Sequence, residues 1–258
     1  MLCPRVVSTQ QIYPAYAMEI KPVILVLADI SGYTRFIKYH RVSLIHAEKI
    51  ITELLESVIA SADKPLVLHE LEGDAVNFYA IEEDEKACAG EVLAQVERFI
   101  KAFRRREAEL ISECSLCECE ACQRVGQLKI KVVLHRGEAA FARLRQFTKV
   151  AGEDVILAHR LLKNTIPSNE YILMTEQFVQ ACPGLQSRPL ERRTERAEGL
   201  GEATVYVLDF EQRGAVAPTE RSLWNKLKMF GKFESYLLRR LLTGPRQADK
   251  KYKNLQDV

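Results

Sequence analysis

Apolar residues change their spacing several times along the chain. Residues 22–28 are almost continuously apolar and predict a buried strand that ends on a lone acid, Asp29. Ser31 and Gly32 follow. From 34 to about 62, Phe36, Ile37, Leu44, Ile45, Ile50, Ile51, Leu54, Leu55 and Val58 recur at helical spacing, and Pro65 breaks the pattern. The segment LVLHELEGDAVNFYAIE reads as a hairpin whose strands flank the turn Glu72-Gly73-Asp74. A second amphipathic helix is expected over 84–111, with Val92, Val96, Phe99 and Phe103 on its apolar face.

LKIKVVLHRGEAAF alternates at first and then turns fully apolar, which predicts a strong strand. GEDVILAHRLLKN predicts a helix after Gly152, EYILMT a strand, EQFVQAC a short helix and ATVYVLDF a closing strand. No internal repeat is found. The order β-α-β-β-α-β-α-β is that of an α+β, ferredoxin-like (split βαβ) sheet with helices on one face and extra elements at the end. The chain divides into a lead-in over 1–20, a domain over 21–211 with a Cys-rich insert at 113–123, and a basic tail over 212–258 that predicts an amphipathic helix or two broken at Gly231.

With 258 residues, 47% hydrophobic and 28% charged, the chain suits one packed domain plus appendages. No apolar run approaches the ~18 residues of a membrane helix. The first 20 residues lack the apolar core of a secretory signal, so a cytoplasmic location is expected. The net charge of +2 divides into +7 from residue 212 onward and −5 before it. The tail is expected to pack on the body or on a second subunit. Peripheral membrane contact through Trp224 and Phe230 is the alternative. No nucleic-acid motif accompanies the charge, so no nucleic-acid partner is expected. Neither G-x-S-x-G nor a P-loop is present, so hydrolase and Walker-type ATPase readings have no support.

Four of the seven cysteines fall in CSLCECEAC, at Cys114, Cys117, Cys119 and Cys122. Clustered thiols in an intracellular chain point to metal before disulfide. Four soft thiolates suit tetrahedral Zn²⁺. A single residue separates the two C-x2-C pairs, so three of these ligands plus one from elsewhere, or a site shared across a dimer, are also compatible. An iron–sulfur cluster and a set of reduced thiols are the alternatives. His135 ends a strand and reads as a satisfied core or turn histidine. His40, His46, His69 and His159 have no ligand spacing.

The topology places Asp29, at the end of the first strand, beside Asp74 in the hairpin turn. Two adjacent carboxylates resist ionising together. A hard divalent cation, Mg²⁺ or Mn²⁺ shared with phosphate oxygens, would relieve that cost. Ser31, Gly32, Tyr33 and Thr34 lie between strand and helix and can offer backbone N–H groups to a phosphate. In the plainer reading, Asp29 caps the helix and Asp74 is an ordinary turn residue.

These segments resemble the class III nucleotidyl cyclases. LADISGYT is similar to the family's F-x-D-I-x-G-F-T, Gly73-Asp74 to its hairpin G-D, His135-Arg136-Gly137 to H-x-G, and GEDVILAHRL in part to G-x-x-V-N-x-A-x-R-L, in order over about residues 22–210. The resemblance implies that Asp29 and Asp74, with the Ile30 carbonyl, hold two cations around a purine nucleoside triphosphate. It implies that Arg160 neutralises phosphate charge, that Glu70 and Lys149 occupy the base-selecting positions, and that a head-to-tail homodimer completes the site. It also departs from the family. Ile156 stands where an Asn orients the ribose, and Lys149 matches neither adenine- nor guanine-selecting patterns, so Glu70 and Lys149 are candidates for an ion pair. The stretch VILAHRLLKN and the Cys-rich insert resemble a divergent group of bacterial cyclase-like proteins. Three functions follow as expectations: a divergent cyclase forming a cyclic nucleotide for signalling (a phosphorus–oxygen lyase), an inactive cyclase-derived binding module with a structural zinc loop, or a zinc- or redox-responsive regulator.

Overall fold

The computed structural model describes residues 18–37, 41–82, 89–185 and 187–210. Most of the expected lead-in and all of the basic tail lie outside them. The first strand, β1, runs Met18–Ser31, longer at both ends than its apolar run. The single predicted helix after it is two: α1, Tyr33–Ile37, and α2, Arg41–Ile59. The hairpin is β2, Val67–Glu72, and β3, Ala75–Ile81. Gly73 takes the first loop position with φ 60°, as type II′ hairpins require. Helix α3, Ala89–Glu113, leads through a 3-10 turn into the short α4, Glu120–Gln123, so the cysteine segment is helical in pieces and not a plain loop.

Strand β4 spans Lys129–Leu144 and turns back as β5, Phe147–Ala151. Helix α5, Glu153–Leu161, strand β6, Tyr171–Thr175, helix α6, Glu176–Gln180, and strands β7, Glu191–Ala197, and β8, Gly201–Asp209, complete the domain. The sheet order is β2-β3-β1-β4-β6-β8-β7, with β5 on the far half of β4. Within it, β2-β3-β1-β4 is the expected split βαβ core, each strand antiparallel to its neighbours.

Strand alternation divides the core in two. Ile24, Val26, Ala28 and Ile30 face the layer that packs against α2, α3 and α6 through Leu54, Val96, Phe99, Phe103 and Phe178. Val23, Leu25 and Leu27 face the opposite layer, with Val133, Leu173, Val205 and Ala158 and Leu161 of α5. The two long helices therefore share one face as expected, while α5 lies on the other. Arg106 joins α3 to α2 through Glu53, and Arg104 Nε donates to Glu170 Oε1 at 2.8 Å and an Nη to the Phe210 carbonyl at 2.5 Å, tying α3 to the end of β8.

Most buried polar groups are paired. Gln95 accepts from the Asp63 N–H at 2.9 Å and donates to the Lys64 carbonyl at 2.9 Å, and Glu107 meets Lys129 at 2.6 Å. Asn77 differs: it is 4% exposed, and neither amide atom has a partner among the described residues. It faces the α5 side of the sheet, opposite Leu27 on β1 and Glu70 on β2. An unmade pair of buried hydrogen bonds costs about 1–3 kcal/mol. Asn77→Leu should therefore raise stability by about 1 kcal/mol in urea titration. A loss of stability would reveal a partner for the amide.

Candidate functional site

Asp29 sits inside β1, opposite Ala75 of β3 and Lys131 of β4, and Lys131 in turn lies opposite Tyr171 of β6. Its carboxylate meets Lys131 Nζ at 2.9 Å, and that ammonium also donates to the Leu162 carbonyl at 3.0 Å. Asp29 caps no helix, because α1 starts only at Tyr33. The hairpin brings Asp74 to the same edge: its carbonyl accepts from the Ile30 N–H at 3.2 Å. The Asp74 carboxyl is hydrogen-bonded to Asp29, and burial followed by the Asp29 charge pushes its pKa up to about 6. The two acids thus meet as the topology suggested. Donor chemistry and mutual repulsion both fit a hard cation there.

The turn after β1 is built to be tight. Gly32 has φ 92°, a conformation that favours glycine, and its carbonyl accepts the Phe36 N–H at 3.0 Å to open α1. Ser31 is the last residue of β1, opposite Lys129, and Thr34 is exposed. The Tyr33 hydroxyl is pushed above its ordinary pKa by burial, then by Glu48 and Asp74.

The remaining candidates scatter within one chain. Glu70 is exposed on β2, opposite Asn77, and so level with Leu27 on β1. Lys149 lies opposite Ala142, level with Met18. About 30 Å of strand separates those two levels of β1, so the structure does not pair Glu70 with Lys149 within a chain. Arg160 on α5 meets Glu198 at 2.7 Å in an exposed ion pair, and Ile156, one turn earlier, is 50% exposed.

The H-x-G segment is structural. His135 is 1% exposed, with Nδ1 2.9 Å from Thr175 Oγ1 and Nε2 3.0 Å from Asp154 Oδ1. Burial lowers its pKa against the pull of Asp154, so the ring stays neutral. The other oxygen of Asp154 accepts the Glu138 N–H at 2.7 Å, and a Cβ on Gly137 would lie 2.2 Å from it. Glycine at 137 therefore makes room for the carboxylate that fastens α5 to β4.

The cysteine segment folds over α2. His46 Nδ1 lies 3.2 Å from Cys119 Sγ, 3.5 Å from Cys117 Sγ and 3.6 Å from Cys122 Sγ. The ligand atoms of these four residues all lie within 4.8 Å of one another, a Cys3His group able to hold a metal. Cys114 packs against the same core but is not one of the four. Sequence spacing could not find His46, which lies 71 to 76 residues before its partners. Lys131 was equally missed, although alternation in LKIKVVL sets it on the same strand face as the buried Val133.

The sheet and its acid-bearing hairpin have the fold of class III adenylyl and guanylyl cyclase catalytic domains. The adenylyl cyclase CyaB of P. aeruginosa superposes with TM-score 0.57 at 14% identity, over 76% of this chain and 98% of that one. The guanylyl cyclase Cya2 gives 0.53 at 16%, over 80% and 98%. A class III adenylyl cyclase-like ATP-binding protein from Pseudomonas aeruginosa gives 0.52 at 16%, over 64% of this chain and 35% of that one. By sequence, the chain belongs to the family of the uncharacterized protein Rv2561/Rv2562 of Mycobacterium tuberculosis, with 35% identity over 159 residues, 62% of this chain and 73% of that protein. A family model described as a protein of unknown function, DUF2652, matches residues 51–171.

No described helix is long and apolar enough to cross a membrane. The acid pair gives a stability test. An acid whose pKa rises on folding, here from 3.8 to about 6, destabilises the native state progressively as pH climbs through that interval. In EDTA, Asp74→Asn should therefore melt higher than wild type at pH 7. The gain should be about 2–4 °C, the equivalent of ~1 kcal/mol after solvent screening of a half-exposed group. The two curves should converge below pH 4.

Proposed function

We propose that the chain binds a purine nucleoside triphosphate with a divalent cation, Mg²⁺ or Mn²⁺, at the Asp29–Asp74 edge. The observation that carries this reading is the meeting of the two carboxylates at the end of the central strand, one of them held up to about 6 by burial and by the other. The Ile30 carbonyl adjoins them in sequence, and the N–H groups of Ser31, Gly32, Tyr33 and Thr34 supply phosphate donors. Lys131 already offsets one carboxylate charge, which leaves the other for a divalent cation to screen together with the triphosphate. A cation bound there would screen the triphosphate and favour attack by the ribose 3′-hydroxyl.

A head-to-tail homodimer would bring Arg160 and Lys149 of one copy toward the acids and Glu70 of the other. Ile156 cannot hydrogen-bond a ribose oxygen, and this favours a second reading in which the chain binds nucleotide as a regulatory module and forms no cyclic product. A neighbour that shares this fold is described as an ATP-binding protein. For the cysteine cluster, zinc is the ion that its soft donors suit.

Calorimetric titration of ATP and GTP with Mn²⁺ tests the first claim. Wild type should bind one of them, and Asp29→Asn should lose at least about tenfold in affinity while its melting temperature stays within about 4 °C. Absence of binding to wild type under either metal would remove the proposal. Mass spectrometry of the same mixtures separates the two readings, since only the cyclase reading yields a cyclic nucleotide and pyrophosphate.

A further inference from the structure

We propose that His46 Nδ1 and the thiolates of Cys117, Cys119 and Cys122 hold a single zinc ion in a closed Cys3His tetrahedron, with Cys114 outside it. This rests on the zinc reading of the cluster and assigns its ligands and its purpose.

One ring nitrogen can make one hydrogen bond, yet three sulfurs stand 3.2, 3.5 and 3.6 Å from His46 Nδ1. Convergence of three soft donors on one nitrogen is what a shared cation produces. With Zn–S of about 2.3 Å and Zn–N of about 2.05 Å, the N–S edge of a regular tetrahedron is about 3.6 Å. Two of the three edges match this value closely, and the third is shorter by a few tenths of an ångström.

The chain supplies these donors without strain on spacing. A 3-10 turn, in which the Cys117 N–H donates to the Cys114 carbonyl at 2.9 Å, precedes Cys117. Cys119 is extended at the N-cap of α4, and Cys122 lies within α4. The change from turn to extended to helix points three nearby thiols inward, where a single loop could not easily deliver four. The fourth ligand comes from α2 instead. Cys114 opens the 3-10 turn before Cys117 and stands outside the ligand set.

Four protein ligands leave no open position, so the site is structural. It fastens the second turn of α2 to the connection between α3 and β4. Binding displaces three thiol protons and forms three Zn–S bonds and one Zn–N bond, with no change of oxidation state.

Elemental analysis and cobalt substitution of the full chain test the assignment. Wild type should carry one zinc per chain, and its Co²⁺ form should show thiolate charge-transfer bands with d–d bands of a three-sulfur, one-nitrogen site. His46→Cys should keep the metal and move the d–d bands to longer wavelength. Against a chromophoric chelator, His46→Ala should weaken zinc binding at least ~100-fold, whereas Cys114→Ser should stay within ~10-fold, the range of an outer-sphere change. Metal retained in His46→Ala and lost in Cys114→Ser, or an unchanged cobalt spectrum in His46→Cys, overturns the ligand set while leaving zinc in place. A wild-type protein that holds neither zinc nor cobalt, or that holds iron with labile sulfide, overturns the zinc reading itself.

Discussion

The antiparallel ladder between β1 and β4 governs the rest of the molecule. Every residue from Met18 to Ser31 has a partner between Ala142 and Lys129. Antiparallel partners point to the same face, so this one register decides that Asp29 and Lys131 stand together and that Ile24, Val26 and Ile130 turn toward the helices. On its free side β1 carries β3, which delivers Asp74, and on its free side β4 carries β6, which delivers Tyr171. The candidate site is therefore a row across four strands and needs no long loop to assemble it.

Electrostatics along that row are partly settled by the protein itself. Lys131 neutralises Asp29, while Asp74 is left to share a proton or a cation. Tyr171, whose hydroxyl accepts from Asn164 at 2.7 Å, is pushed up to about 12 chiefly by burial, and closes the far end of the row as a neutral group. On the same face, neutral His135 and the carboxylate of Asp154 lock α5 in place. These segments thus divide by position: Asp29 and Asp74 carry charge to an edge, and His135-Arg136-Gly137 holds the helix whose exposed side presents Ile156 and Arg160.

What the sequence disclosed follows from where each residue buries itself. The long strands and both main helices show strong apolar periodicity because they face cores on one or both sides. β7, ERRTERA, buries only Glu195 and Ala197 and so has no apolar alternation to read. β5, FTKVA, buries only Val150, and the turn before it has Arg145 at φ 55° where a glycine signal would have revealed it. Within the site, Asp29, Asp74 and Gly32 were legible because their chemistry is local. Lys131 and His46 were not, because each matters only through a partner that register or helix packing brings from far along the chain.

The two faces of β1 also determine where this chain can change length over evolutionary time. Side-chain direction alternates residue by residue, so a single insertion between Val23 and Asp29 would turn the acid into the layer packed by α2 and α3 and send Ala28 and Ile30 to the α5 side. Deletion in the facing half of β4 would do the same to Lys131. The connection from α3 to β4 obeys no such parity, and an extra segment such as the cysteine-bearing one can accumulate there at little cost to the sheet. Outside the Cys117–Cys122 segment that connector can vary in length, while β1 and β4 keep a fixed count of residues.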